Sequence, residues 1–325
     1  MDVTDAFSAG AKFTNACQLC NAGGPHKKLV VREMMFGTRD EFNYFCCSGC
    51  GSLQLIDNIL PDDLARSYGP DYYSYASRQK SAVRRTVGMH RDQAQLLGGE
   101  RVAFSILSRL HSASIIQIIA ELNITRDTRI LEVGCGQGEL LERLAAVGFT
   151  QLTGVDPLVP EDRADKPNFR LIKAYLHELT GDPYDLIMFN HSLEHVPHFV
   201  KTLTDAHDRL ARGGLCLVRL PTTSSQAWEI YRENWVQIDA PRHCFIPSRE
   251  AMSMTAGTSG FVLERTIDDS TEFQFSGSER YCRNIPLNDR EFHFPKSRVR
   301  EWRRRATALN AMGRGDQAAF ILRKP

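Results

Sequence analysis

No stretch of this sequence approaches the ~20 consecutive apolar residues that a membrane-spanning helix needs. The opening MDVTDAFSAG carries two aspartates and lacks the apolar core of a secretion signal. A cytoplasmic protein with no membrane partner is the expectation. An excess of one charge is missing too: 40 Lys+Arg stand against 39 Asp+Glu, so global charge names no nucleic-acid or acidic partner. There is no internal repeat and no low-complexity tract. Two phosphate-binding signatures are also absent. No G-x-x-x-x-G-K-[ST] occurs, and the glycine-rich turn carries Glu139 where a dinucleotide fingerprint requires a third, spaced glycine.

What is present is the balance of an ordinary globular protein, 42% hydrophobic and 24% charged over 325 residues, with room for one large domain or two. Nine cysteines without a secretion signal point to reduced thiols or metal ligands rather than a disulfide framework. Cys17-Gln-Leu-Cys20 and Cys47-Ser-Gly-Cys50 are two C-x-x-C pairs separated by 26 residues. Four thiolates suit tetrahedral zinc and leave no open coordination position, which makes such a site structural. Between the pairs, Leu29–Val31 and Phe42–Phe45 read as strands around a turn at Gly37–Asp40, giving a small zinc-ribbon hairpin. Cys46 adjoins the second pair and is an alternative to Cys47 as ligand. Chance spacing of buried or reactive thiols is the bland alternative.

The tyrosine-rich segment from Pro61 to Lys80 reads as a linker or clamp. Residues 101–121 then show apolar positions at helical spacing through Val102, Ile106, Leu110, Ile115, Ile116 and Ile119. The organisation expected is therefore a ribbon over 1–60, a linker and helical segment over 61–124, and an α/β domain over 125–325 with insertions at 221–247 and 268–315.

In that domain Ile130–Val133 has the apolar pattern of a buried strand, and Glu139–Val147 places Leu140, Leu141 and Leu144 on one helical face, with Gly148 fitting its end. Gly134, Gly136 and Gly138 thus occupy a strand-to-helix turn at the carboxyl edge of a sheet, where open α/β sheets bind ligands. A second strand, Leu152–Val155, ends at Asp156, whose carboxylate can accept hydrogen bonds from vicinal ribose hydroxyls. The expected ligand contains a nucleoside.

LEVGCGQGELL at 131–141, GVDP at 154–157 and YDLIMFNHSLEHV at 184–196 together resemble the class I S-adenosylmethionine-dependent methyltransferases, over roughly residues 125–325. The resemblance implies a Rossmann-like sheet of seven strands, the last antiparallel, with S-adenosyl-L-methionine as cofactor. It implies that Glu132, Gly134, Cys135, Gly136 and Gly138 line the methionine end. Asp156, with Pro157 beside it, would hold the ribose, while Tyr175 and Leu176 would flank the adenine. Asn190 and His191 would close over the sulfonium. The chemistry agrees, since a sulfonium cofactor without phosphates needs close backbone approach and a hydroxyl-binding carboxylate rather than a lysine clamp.

For the acceptor side, Asn190 to His195 follow the strand Leu186–Phe189. His195 is a candidate general base or a loop-positioning histidine, and His191 is a candidate packing against the cofactor. The excursion ENWVQIDAPRHCFIPS at 233–248 offers Trp235, Asp239, Arg242 and His243 as acceptor contacts, with His243 a rival base. Phe261–Ile267 and Gln317–Leu322 read as the closing strands. Lys296 to Arg305 holds six basic residues, but Val299, Trp302, Ala306 and Leu309 form an apolar stripe that assigns most arginines to a solvated face.

The ribbon, the YGPDYYSY segment, the W-x-x-x-D-x-P-R-H run at 235–243 and GDQAAFIL near the end also resemble bacterial methyltransferases of glycan or secondary-metabolite pathways. That implies a polar small-molecule acceptor, a sugar, nucleotide-sugar or related metabolite, methylated on O, N or C. Two alternatives stay open. One is an RNA methyltransferase gripping nucleic acid through the ribbon, although residues 17–50 hold only Lys27, Lys28, Arg32 and Arg39 against Glu33, Asp40 and Glu41. The other is a non-catalytic cofactor-binding or assembly module.

Overall fold

The computed structural model describes residues 16–57, 59, 64, 66–68, 82–97, 114–166 and 169–325. Most of the tyrosine-rich linker and residues 101–113 of the expected helix lie outside them. Near the N-terminus, β1 (Lys27–Arg32), β2 (Glu41–Cys46) and β3 (Leu53–Leu55) form the antiparallel ribbon. Helix α1 (Ala82–Leu97) follows, then α2 (Ser114–Ala120), which carries Ile115, Ile116 and Ile119 of the expected stripe into the core.

The main sheet is built on β4 (Ile130–Val133), with β5 (Leu152–Val155) and β8 (Tyr184–Asn190) parallel on either side. It extends through β7 (Phe169–Ile172) and β6 (Arg163–Lys166) at one edge. At the other stand β9 (Leu210–Pro221), β12 (Gln317–Arg323) and β11 (Val262–Asp268), in the order β11-β12-β9-β8-β4-β5-β7-β6. Strand β12 runs antiparallel to both of its neighbours. The Rossmann-like expectation therefore stands, with one addition: the sheet has eight strands, not seven. The extra edge strand β6 reads Arg-Ala-Asp-Lys, with no apolar alternation to announce it.

Strand β4 apart from Glu132, and the middle of β8 over Leu186–Phe189, are apolar because both faces of a parallel sheet are covered. Leu186 and Met188 of β8 face the layer of α2 and α3 (Glu139–Val147), while Ile187 and Phe189 face α4 (Phe199–Arg209). Helix α3 ends at Gly148, left-handed at φ 104°, whose amide donates to the carbonyl of Ala145, as a glycine C-cap does.

After β9 the chain passes through α5 (Gln226–Tyr231) and returns as the two-residue strand β10 (Phe245–Ile246), which pairs with β3 of the ribbon. The ribbon sheet thereby gains a fourth strand from the large domain, in the order β1-β2-β3-β10. A buried ion cluster reinforces the junction: Arg242 reaches Asp239 at 2.6 Å and Glu33 of the ribbon at 2.9 Å. The Tyr44 hydroxyl donates to the carbonyl of His243 at 2.9 Å.

Helix α6 (Arg249–Thr258) precedes β11, and the later insertion supplies α7 (Phe273–Cys282) and α8 (Lys296–Ala311). Trp302, Ala306 and Leu309 of α8 are buried. Of its arginines, Arg298 pairs with Glu301, Arg303 with Glu272, and Arg305 bonds Gln226. Among the described residues no helix is long and apolar enough to cross a membrane.

Candidate active site

A cavity of about 430 Å³ opens at the carboxyl ends of β4, β5 and β8, within the size range of small-molecule sites. Gly134, Gly136, Asp156, Pro157, Tyr175 and Leu176 line one part of it; His191, Ser192, His195, His198 and Lys201 line another. Tyr68, from the segment read as a clamp, reaches the same wall.

The glycine turn is shaped by its neighbour. Gly134 sits at φ +71°, and a Cβ there would fall 2.4 Å from Ser192 Cβ. Ser192 in turn donates its hydroxyl to the Val133 carbonyl at 2.6 Å. The loop after β8 thus packs directly on the turn after β4, which leaves no space for a side chain. Asp156 joins the ends of β4 and β5, its Oδ2 accepting from the Gly136 amide at 2.9 Å and its Oδ1 from Leu158 at 2.8 Å. Burial pushes its pKa up while these two amides oppose the shift. A carboxylate offers about four acceptor positions, so each oxygen keeps capacity for a further donor. Glu132, behind the turn, is buried, and its Oε2 has no hydrogen-bond partner. Burial, then the nearby Asp156 charge, raises its pKa to about 8.

At the other end Glu194 is completely buried, with three histidines around it. His191 donates Nδ1–H to Glu194 Oε1 at 3.1 Å, and His243 Nε2 lies 4.0 Å from the same oxygen. His195 and His243 meet edge to face with ring centroids 4.6 Å apart. Nδ1 of His195 is 2.9 Å from the Arg242 carbonyl and 2.9 Å from the Tyr68 hydroxyl. The desolvation cost of burying Glu194 is outweighed by these imidazoles, which bring its pKa down to about 2.

Residues 106–266 match the family model described as a methyltransferase domain. That stretch of the chain resembles a methyltransferase domain. The chain is 26% identical over 121 residues to a trans-aconitate 2-methyltransferase from Rhizobium rhizogenes, covering 36% of this chain and 47% of that protein. It is 33% identical over 109 residues to a ubiquinone biosynthesis O-methyltransferase from Hydrogenovibrio crunogenus, covering 30% and 45%. The chain thus spans about half the length of the curated relatives it matches. A solved S-adenosylmethionine-dependent methyltransferase from Mesorhizobium loti is similar at a TM-score of 0.42 with 14% identity, covering 64% of this chain and 96% of that one.

The cavity fits the cofactor that this fold implies. The glycine turn is a cradle that a Cβ would fill, and the orphaned Glu132 oxygen suits a cationic donor. Asp156 keeps acceptor capacity for hydroxyls, and Tyr175 and Leu176 stand on the same wall. Three other expected contacts face elsewhere. Cys135 is turned into the core, where a Cβ on Gly154 would come 2.6 Å from its Sγ. Gly138 packs against Leu171 and Phe169, so its missing side chain serves helix–sheet packing. Asn190 accepts from Arg219 at 3.0 Å instead of closing over the cavity.

The expected acceptor contacts of the 233–248 excursion need correction as well. Trp235 is fully buried and donates its indole N–H to Asp316 at 3.1 Å, which makes it a core residue. Asp239 and Arg242 are spent on each other and on Glu33. His243 is 3% exposed; burial, then the His195 charge, lowers its pKa to about 4, so it supports His195 from behind rather than facing the cavity. Of the three candidate catalytic histidines, the structure places His191 and His195 on the cavity wall. Sequence reasoning gave no role to Glu194, although its place beside His195 was visible, or to Tyr68, whose contact with His195 only the fold creates.

In the ribbon, one sulfur from each of Cys17, Cys20, Cys47 and Cys50 lies within 4.8 Å of the others. The closest approaches are 3.7 Å for Cys17–Cys50 and 3.5 Å for Cys20–Cys47. A tetrahedron with metal–sulfur bonds of about 2.3 Å has edges of about 3.8 Å, so the donor set fits a single ion. Amides of Gly49 and Cys50 point at Cys47 Sγ, and Gln54 Nε2 lies 2.7 Å from Cys17 Sγ, donors that suit thiolates. Cys46 stands apart from the four and donates to the Gly51 carbonyl.

Proposed function

We propose that this protein transfers a methyl group from S-adenosylmethionine to a polar small molecule, with a sugar, nucleotide-sugar or related metabolite as the acceptor class. The observation that carries this reading is the continuity of one cavity, in which the glycine turn and Asp156 share walls with His191, His195 and Tyr68. The two curated relatives, named as a trans-aconitate 2-methyltransferase and a ubiquinone biosynthesis O-methyltransferase, support a small-molecule acceptor, while the sugar class rests on the sequence resemblance.

When bound, the cofactor supplies a methyl group on a sulfonium, open to in-line displacement. Glu132 and the turn from Gly134 to Gly136 hold its amino-acid end, Asp156 its ribose, and Tyr175 with Leu176 its base. His195 and Tyr68 hold the acceptor, and His195 is a wall residue able to take a proton where the acceptor must lose one. Fixing acceptor and donor in one enclosed space supplies the proximity term, which reaches roughly 7–11 kcal/mol for well-oriented reactants. Zinc held by Cys17, Cys20, Cys47 and Cys50 would be structural, fixing the ribbon against which β10, Arg242 and His243 are set.

Incubating the protein with isotopically labelled cofactor and nucleotide-sugar or metabolite extracts, followed by mass spectrometry, tests the reading. His195→Ala should reduce turnover by about 10²–10⁴-fold with cofactor affinity retained. Transfer to RNA with none to small molecules would overturn the proposal, as would cofactor binding without transfer to any acceptor.

A further inference from the structure

The buried cluster behind the acceptor wall contains too many acceptors. The Gln237 carbonyl lies 2.7 Å from His243 Nδ1 and the Arg242 carbonyl 2.9 Å from His195 Nδ1. A carbonyl can only accept, so each Nδ1 donates to its carbonyl and Nε2 is the nitrogen of each ring left to offer a lone pair. Between them sits the fully buried carboxylate of Glu194, one oxygen accepting from His191 and the other, Oε2, without a partner. A ring nitrogen from each of His195 and His243 and a carboxylate oxygen of Glu194 all lie within 4.8 Å of one another.

A buried polar group without a partner is costly. A cation among these atoms would bind the carboxylate, whose Oε1 lies 4.0 Å from His243 Nε2, together with both imidazoles. Backbone carbonyls gripping the far nitrogen of an imidazole are also the usual means of orienting a histidine toward a metal. We propose that Glu194, His195 and His243 form a binding site for a first-row divalent cation at the acceptor end of the cavity. Two imidazoles and one carboxylate are a donor set for such ions, distinct from the soft four-thiol set of the ribbon, and three protein ligands leave positions open for oxygen ligands.

The role of the ion rests on the methyltransferase reading. His195 lines the cavity, so a cation it helps to hold is within reach of the acceptor. There it would favour an acceptor with adjacent oxygens, such as a vicinal diol or a hydroxy acid, and would ease loss of the hydroxyl proton. On that view His195 serves the acceptor through the ion, and His191 positions the carboxylate.

The test uses the full chain, its ribbon first loaded with one equivalent of zinc, then titrated with Co²⁺ and followed by visible absorption. The wild type should take up one further equivalent, giving weak d–d bands without thiolate-to-cobalt charge transfer. Glu194→Gln and His195→Asn should each lose that equivalent while keeping a native circular-dichroism spectrum. Cobalt uptake seen only with thiolate charge transfer would overturn the proposal, as would an extra equivalent retained in both variants. Calorimetric binding of S-adenosylmethionine to the same samples separates the two readings. Cofactor binding with no second metal refutes the cation site alone; loss of cofactor binding in the wild type refutes the methyltransferase reading.

Discussion

Lowering the pH from 7.5 to 6.0 should weaken S-adenosylmethionine binding about 25-fold, because Glu132 enters the reaction protonated. Its carboxyl is buried beside Asp156, with a pKa of about 8 and no partner for Oε2. A cofactor ammonium meeting that side chain favours the carboxylate, so the proton must leave on binding. With the free-protein pKa at about 8 and the carboxylate form taken up in the complex, roughly a quarter of the free molecules are ionised at pH 7.5 and about one in a hundred at pH 6.0. The ratio corresponds to about 2 kcal/mol. Affinity therefore rises with pH across this window and levels off above about 8. Isothermal calorimetry in buffers of different ionisation enthalpy should show nearly one proton released per cofactor bound near neutral pH. Asp156, also raised by burial, would add a slope of the same sign, so Glu132→Gln serves as the control. That variant should bind more weakly and lose most of the pH dependence. A flat wild-type profile, or one that Glu132→Gln leaves unchanged, would refute the reasoning.

Gly134→Ala should lower both stability and cofactor affinity, since the φ of +71° and the 2.4 Å approach to Ser192 Cβ leave no unstrained place for a methyl; about 1–3 kcal/mol is expected, and an unchanged melting temperature and calorimetric affinity would count against it. Purified protein should contain about one zinc per chain by metal analysis, and chelation should lower the melting temperature by releasing the ribbon; metal-free protein of equal stability would remove the ribbon assignment. Asp316, buried under Trp235, has its pKa raised to about 6 by desolvation. The folded state therefore binds its proton more tightly than the unfolded chain, so this contribution to stability is present below about pH 4 and is lost as pH rises through about 6. It amounts to roughly 3 kcal/mol, and should appear as a difference in denaturant stability between wild type and Asp316→Asn that changes over that window; a constant difference would contradict it.

The cofactor half of the cavity was legible in the chain because its parts are local. The glycine turn follows β4 directly, Asp156 ends β5, and His191 follows β8, so the strand pattern and the parallel-sheet rule place them along one rim. The misreadings there concern direction. Cys135 and Gly138 lie in the right turn, yet Cys135 is turned into the core and Gly138 packs against Leu171 and Phe169, while Gly134 and Gly136 line the cavity. The acceptor half was read as a list of polar residues in a long excursion, and polarity alone did not say which would be exposed. Trp235 and Arg242 are satisfied by partners far away in sequence, Asp316 and Glu33, and Asp239 by Arg242 three residues on.

The sequence by itself determined the Rossmann-like sheet, the glycine cradle, the carboxylate at the end of β5 and the four-thiol ribbon, since each is written as a short pattern whose geometry follows from its own spacing. Only the tertiary structure decided that the ribbon borrows β10 from the large domain, and that Arg242 and His243 brace the wall rather than face the ligand. It also decided that Tyr68, Glu194 and His195 converge on one spot. Those outcomes depend on pairings across more than a hundred residues, where burial and hydrogen-bond satisfaction choose among partners that no local pattern can rank.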